Sequence, residues 1–472
     1  MLSEMCVEGN RRLFSIIKRI VGFAVVRLYK EGIILSCDRQ LLILGNGFDL
    51  QCGLKSSFKD FMQTRQAVFF KTRGMVASSP TPPKTGYMDA AHNQKVRGNS
   101  PAYWYRYNGL TIWDFILYED QQQRAWYDIE ECIRKWVDCR SNPKNPQYVP
   151  PIQQVHSDYL KYRQSHQHQD FWKQWERRYN PEISKETENV ILTYAQDFYL
   201  CDEGIGGLFH EFMDELHQYE QAFATYLKEQ QTQNKDYFSS ATNLLLNLVN
   251  DQMSSPVLRA NPLRWTYTSH PESIGILNFN YTDPLNTNWG GKPDALNIHG
   301  LASQGDIIFG IDGANLSEGQ NHYADTVKFT KTYRLMAFSS HSHRSLVRPY
   351  LPNSTEGATD MIKFFGHSLG DADYSYFQAI FDEVNLYESN THLIFYYNAN
   401  RSNDKEKGAA EKTKDKAQQE MFEKVNRLIT TYGRTLDNED HGKNLLHKLL
   451  LEGRLTIKQA PIDFNPAYWE YD

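Results

Sequence analysis

The sequence is poor in the features that most readily identify a protein class. Its six cysteines, Cys6, Cys37, Cys52, Cys132, Cys139 and Cys201, are scattered, form no C-x-x-C pair and stop at position 201. That excludes a zinc ribbon and a disulfide framework, and a reducing, cytoplasmic setting is expected. Near the N-terminus the uninterrupted apolar run is only IVGFAVV before Arg27. A membrane span needs about 20 apolar residues, and no small-residue cleavage site follows the run, so no integral membrane segment is expected. Charge of one sign is also missing: 51 basic residues meet 57 acidic ones, a net charge of −6. With a pI near 6.2, a broad electropositive surface for nucleic acid is excluded. A mean hydropathy of −0.62 rules out a many-spanning membrane protein. No internal repeat and no Walker lysine pattern is present. What the chain has in excess is aromatic residues, 13% of its 472 positions, with 29 Tyr and 25 Phe, which implies aromatic-rich helix packing or a stacking surface.

Along the chain, residues 1–38 read as a helical N-terminal extension; a helix packed on the body or an upstream addition is the first reading and a membrane-surface helix the second. The first strand signal is QLLIL, Gln40 to Leu44, stopped by Gly45-Asn46-Gly47 and followed by a helix from about Ser56. From about Arg73 to Tyr103 the sequence is loose. Aromatic helices are expected at Ile112 to Tyr118 and Trp126 to Trp136, and helical periodicity returns between Glu186 and Val249. After Pro271 come short apolar runs ending in Gly, Asn or Asp: IGILNFN, ALNIHG, DIIFGID, MIKFFGHS and THLIFYYN. These read as buried, mostly parallel strands, with helices at about Tyr374 to Leu386 and Ala417 to Thr431. The expected fold is α/β and Rossmann-like. Its core is discontinuous, 39–72 and 270–472, interrupted by a mostly helical, aromatic-rich insertion at 73–269.

Four polar strand ends carry the chemistry. Gly45 and Gly47 permit a tight strand-to-helix turn that brings main-chain N–H groups near a phosphate. Asn280 follows the strand in NFNYTDPL, His299 follows the one in NIHG, and GHSLGDAD (366–373) follows a third. Strand ends of an open α/β sheet converge on one crevice, where such folds bind ligands. His166 and His168, and His341 and His343, look like metal pairs but lack a carboxylate or cysteine partner, so no metal site is expected. Asp128 and Glu130 read as a structural ion pair or N-terminal helix charge, with capping or lining the crevice as the alternative. Lys331 reads as a solvated lysine, with phosphate pairing as its alternative.

The blocks GNGFDLQCGLKSSFKDF, WYDIEECI, FNYTDPL, NIHG, IIFGID, FTKTY and FFGHSLGDADYSYFQAIF resemble, in order and wording, those of the bacterial AbiH abortive-infection family over about residues 40–400. The resemblance implies antiphage defence, in which infected cells stop growing or die before phage matures, and a phage-derived trigger. A more distant similarity is to sirtuin-like NAD-binding domains. Gly45-Asn46-Gly47-Phe48-Asp49 with Gly53-Leu54 has the spacing of their first glycine block, with Asn and Asp in place of Ala and Ser. Asn280-Tyr281-Thr282-Asp283 is similar to the block that ends their next strand, His299-Gly300 to their catalytic His-Gly pair, and Gly366-His367-Ser368-Leu369 to the block that touches the adenosine ribose. Their four-cysteine zinc module is absent, which argues against protein deacylation.

The similarity implies NAD as substrate and its hydrolysis as the reaction, with no further cofactor required. Asn280 and His299 are then the catalytic candidates. A neutral imidazole accepts a proton from water or a ribose hydroxyl, and an amide holds either without titrating. Gly45, Asn46, Gly47, Phe48, Asp49, Gly366, Ser368 and Asp371 are the ligand-binding candidates, with Asp49 or Asp371 placed for a ribose diol. A homo-oligomer is possible. Two other classes stay open: a non-enzymatic nucleotide-binding sensor, and a serine hydrolase. In the latter, G-H-S-L-G would be a nucleophile elbow, with Ser368 attacking, Leu369 N–H as oxyanion donor, and Asp382 with His441 or His447 completing the triad.

Overall fold

Most of the apolar runs expected as strands form one parallel sheet. The computed structural model describes residues 39–78, 105–123, 129–139, 149–164, 191, 204–251, 273–285, 293–313, 316–337, 346–349, 358–370, 373–398 and 407–461. Its strands are β1 (Gln40–Leu44), β2 (Ile274–Asn278), β3 (Asp294–Asn297), β4 (Met361–Phe365), β5 (His392–Tyr397) and β6 (Leu455–Gln459). Every pair is parallel, in the order β3-β2-β1-β4-β5-β6. β1, β2 and β4 are buried along their whole length, as central strands covered on both faces must be. The winding reverses between β1 and β4, the point at which a doubly wound sheet opens a crevice beyond its strand ends.

The helices are α1 (Gly47–Gln51), α2 (Phe58–Ser78), α3 (Ile112–Gln123), α4 (Ile129–Val137), α5 (Pro151–Gln164), α6 (Ile205–Gln233), α7 (Tyr237–Asn250), α8 (Tyr323–Thr326), α9 (Lys331–Ala337), α10 (Tyr374–Glu383), α11 (Lys407–Gly433) and α12 (Glu439–Leu451). Successive strand residues face opposite sides. Leu41 and Ile43 therefore pack with α10, α11 and α12 through Phe377, Phe381, Leu428 and Leu445. Leu42 and Leu44 pack with α7 through Tyr237, Ala241 and Leu245. A third cluster joins α2, α3, α4 and α6 through Phe61, Trp113, Trp136, Phe212 and Phe223, and absorbs much of the aromatic excess.

Two of the expected elements need correction. Residues 306–312, DIIFGID, do not enter the sheet. Ile311 makes only an isolated bridge with Thr330, and Ile307, Phe309 and Ile311 are apolar because they pack into the helical cluster. Conversely, β6 was not among the expected strands, because LTIKQ is a half-buried edge strand without a continuous apolar run. α2 also continues through Arg73 to Ser78, where loose chain was expected. Residues 1–38, Trp126, Asp128, the four paired histidines at 166, 168, 341 and 343, and Asp371 lie outside the described residues. Among the described residues no helix is long and apolar enough to cross a membrane.

Candidate functional site

The turn after β1 and the turn after β4 interlock. Gly45 N–H donates to the Phe365 carbonyl and Gly47 N–H to the Gly366 carbonyl, each at 2.9 Å, while Phe48 N–H donates to the Gly45 carbonyl at 2.8 Å. A Cβ at Gly45 would stand 2.4 Å from His367 Cα, and one at Gly47 2.6 Å from Gly366 Cα. Glycine is thus required by the contact of the two turns, whatever binds beside them. Phe48 is fully buried, edge-on to Phe365 in the sheet core. Asn46 is exposed, and its Oδ1 accepts from the Ser56 hydroxyl at 2.6 Å.

Asp49, on α1, is 1% exposed. The Tyr237 hydroxyl donates to its Oδ1 at 2.7 Å and the Thr282 hydroxyl to its Oδ2 at 2.6 Å. Burial pushes its pKa up to about 6 against those two hydrogen bonds. Beyond β2 a set of amides fixes the chain: Asn278 Nδ2 donates to the Thr282 carbonyl at 2.8 Å, and Asn297 Nδ2 donates to the carbonyls of Asn280 and Thr282 at 2.8 and 2.9 Å. Held this way, Asn280 is 4% exposed and donates through Nδ2 to the Gly45 carbonyl at 3.1 Å. Its Oδ1 is buried without a hydrogen-bond partner, a costly state unless a ligand or water completes it.

The end of β3 brings His299 into the same place. Its Nε2 also lacks a hydrogen-bond partner and stands 3.5 Å from Asp373 Oδ1. Burial, then the charge of Lys331, push its pKa down to about 3; Asp373 and a hydrogen bond to the Phe279 backbone oppose them. His299 is therefore neutral. Asp373, at the start of α10, is the hub. Lys331 Nζ lies 2.7 Å from Asp373 Oδ1 and 2.7 Å from Glu130 Oε1. His367 Nε2 lies 3.3 Å from Asp373 Oδ2, and His367 Nδ1 accepts from Leu369 N–H at 2.9 Å, which places the His367 proton on Nε2. Burial alone would raise the Asp373 carboxyl, but the charge of Lys331 and a hydrogen bond from His367 hold it well below the usual range. Lys331 is likewise pressed down by burial and lifted above its ordinary value by Glu130 and Asp373. It is 3% exposed, so the solvated reading is wrong: its stem is enclosed and its charge neutralises two carboxylates. Glu130 is an ion-pair partner, the first expectation, and also lines the cleft, the alternative.

A cleft of about 650 Å³ opens over this network, and Asn46, Asp49, Asn280, Ser368 and Asp373 are among its lining residues, with Glu130 and Arg134 of α4 on the helical side. His299, 3.5 Å from Asp373, is not among the lining residues. The serine-hydrolase triad does not assemble here. Ser368 is exposed at the cleft, but the positive φ angles fall on Gly366 and Leu369. Asp382 accepts from the Tyr432 hydroxyl at 2.9 Å, His441 stacks on Tyr387 at 4.4 Å, and neither these nor His447 line the cleft.

The sequence pointed to Asn280, His299 and Asp49 but gave Asp373 and His367 no role of their own. Both lie in the GHSLGDAD segment, and the signal was present as a polar run directly after a buried strand. The family described as bacteriophage abortive infection AbiH matches the chain over residues 41–397, which takes in every residue of this network. No curated protein matches the sequence.

Proposed function

The chain belongs to the bacteriophage abortive infection AbiH family, and from that premise we propose that it acts in antiphage defence by binding NAD or a related nucleotide in the strand-end cleft and hydrolysing its N-glycosyl bond. The observation that carries the reading is the pair of buried, unpartnered atoms, Asn280 Oδ1 and His299 Nε2, beside an ionised Asp373. Such atoms are stabilised by a ligand that brings donors, as ribose hydroxyls and water do.

The chemistry asks little of a base. Leaving of the pyridinium builds oxocarbenium character at the anomeric carbon, and the water that captures it becomes strongly acidic, so even a weakly basic imidazole such as His299 accepts its proton. Asp373, fixed by Lys331, supplies negative charge near the developing cation. Asn280 orients water or a ribose hydroxyl, and Asp49 serves a ribose diol. Gly45, Gly47 and Gly366 act indirectly, by letting the two turns pack against each other behind the lining residues Asn46, Asp49 and Ser368.

Incubating the purified full chain with NAD and following nicotinamide release by chromatography tests the reading. Turnover is expected, with His299→Ala and Asn280→Ala lowering it by roughly 100-fold while both variants keep a cooperative unfolding transition. NAD left intact by the purified protein, and in infected cells that carry it, would overturn the proposal. Tight binding without turnover would favour the sensor class instead.

A further inference from the structure

The aromatic excess of the sequence reaches the cleft. The helical cluster closes completely around Trp113 and Phe212, but on one side it stays open. Phe58 of α2, Phe223 of α6 and Phe309 of the 306–312 segment line the cleft, their ring centroids 5.6 to 5.9 Å apart. Tyr281 joins them from the strand-end side, edge-on to Phe223 at 5.6 Å and to Phe309 at 5.7 Å. Phe58 and Tyr281 are only half-buried. The apolar run at 306–312 thus has a purpose outside the sheet, since Phe309 and Ile311 form cleft wall. Next to these rings the wall turns polar within one residue. Asn280, whose Oδ1 is buried without a partner, and Tyr281 are consecutive, and the chain is pinned around them. Asn297 Nδ2 donates to the Asn280 and Thr282 carbonyls, and Ala302 N–H donates to the Tyr281 carbonyl at 2.7 Å. Apolar rings beside a few convergent polar atoms, in a cleft of about 650 Å³, are the composition of a small-molecule pocket.

We infer that the open aromatic side of the helical cluster is the base-binding half of the cleft, with Tyr281 as the specificity-determining residue that packs against the pyridine ring of a nicotinamide riboside while Asn280 takes the ribose. This rests on the N-glycosyl hydrolysis proposed above, in which the scissile C1′–N bond joins the two halves. A nucleoside has the same division as the wall: a hydroxylated sugar and a flat ring with apolar faces. An acyl chain would leave Asn280 Oδ1 without a donor, and a free sugar would leave the rings facing water. The rings are already packed on one another, so stacking a base on them orders few side chains. The helical insertion and the 306–312 segment thereby select the base, and the strand ends hold the groups that act on the sugar.

The test measures binding to the purified full chain by calorimetry with three probes: carbocyclic nicotinamide riboside, whose C–N bond is not hydrolysed, adenosine, and methyl riboside, which has the sugar and no base. NAD cleavage is followed separately. Wild type is expected to bind the carbocyclic riboside, Tyr281→Leu to bind it roughly tenfold more weakly, and Tyr281→Phe, which keeps the ring, to stay within about twofold. Methyl riboside should bind all three proteins equally and far more weakly. Should Tyr281→Leu lose its cooperative unfolding, an upfield ring-current shift of the bound pyridine protons in wild type decides by itself, and its absence overturns the inference. Undiminished affinity of Tyr281→Leu, or methyl riboside bound as tightly as the carbocyclic riboside, would also overturn it, and NAD cleavage would then leave N-glycosyl hydrolysis standing. Binding of adenosine alone would overturn the assignment of the pyridine ring. Tyr281-dependent binding of the carbocyclic riboside with NAD left intact would overturn the hydrolysis and leave the base site. If no probe binds and NAD is intact, both fall.

Discussion

Asp49 is ionisable, buried and gripped by two hydroxyls, so its protonation has to register in the stability of the whole protein. Its folded pKa is raised from 3.8 to about 6, so between about pH 4 and pH 6 the native state holds more protons than the unfolded chain. Its contribution to stability therefore falls as pH rises through that window, and the full cost, up to about 3 kcal/mol, is present above it. His299 acts in the opposite sense. Its folded pKa lies near 3 against an ordinary 6.5, so its contribution rises with pH between those values. Asp49→Asn keeps an acceptor for Tyr237 and removes the buried charge. We expect this variant to be about 2 kcal/mol more stable than wild type at pH 7.5 and no more stable at pH 4, as read by urea unfolding at both pH values; a pH-independent difference would contradict it. At this scale the site was half legible. Asn280 and His299 stand out because several polar strand ends converge on one crevice, where one alone would read as a cap or turn. Lys331 did not, because nothing in FTKTY shows that Glu130 and Asp373, distant in sequence, converge on its ammonium and make burial tolerable.

Among the elements, β4 holds the least expected residue. MIKFF reads as a central strand interrupted by a charge, yet Lys363 is 1% exposed. Its Nζ donates to the carbonyls of Leu248 and Asp251 at 2.7 and 2.6 Å and to Gln40 Oε1 at 2.7 Å. The ammonium thus closes the C-terminus of α7, where orphan carbonyls and the helix dipole both favour a cation. Lys363→Met preserves length and apolar stem but leaves those acceptors without a donor. It should cost roughly 3 kcal/mol in urea unfolding and reduce amide protection in the last turn of α7; unchanged protection there would show that the lysine is not what caps the helix. The strands that were legible include β1, β2, β4 and β5, mostly apolar runs because both faces of the sheet are covered, and the shorter, partly buried β3. The same rule misread 306–312, whose apolar residues serve the helical cluster, and missed β6, an edge strand whose residues are only partly buried. Apolar runs report burial, and only tertiary partners decide whether the buried chain joins a ladder.

At the scale of the molecule, two packing systems meet over the cleft: the sheet with its flanking helices, and the aromatic cluster of α2, α3, α4 and α6. The contacts between them include apolar ones, such as Phe223 against Tyr281 and Phe309, and buried ion pairs. Arg334 binds Glu220 of α6 through both guanidinium arms and donates to the Phe309 carbonyl at 2.6 Å. Lys331, in the same short helix α9, joins Glu130 of α4 to Asp373 at the start of α10. One ammonium therefore holds the helical wall of the cleft against the strand-end network. Lys331→Met would leave Glu130 and Asp373 facing each other without a cation, a loss of about 3–5 kcal/mol near neutral pH. Freed of the lysine, Asp373 loses the largest of the influences that hold its carboxyl low and keeps the hydrogen bond from His367. Burial then pushes the carboxyl upward, toward taking up a proton on acidification. The deficit should consequently be largest at pH 7.5 and shrink at pH 4, the reverse of a simple packing defect, which costs the same at both. The double variant Lys331→Met, Asp373→Asn should recover a substantial part of the loss at pH 7.5, giving a coupling energy of about 1–3 kcal/mol in a double-mutant cycle by urea unfolding. Strict additivity, with a deficit unchanged by pH, would mean that the cleft walls are held by apolar packing and that the ammonium is incidental to their union.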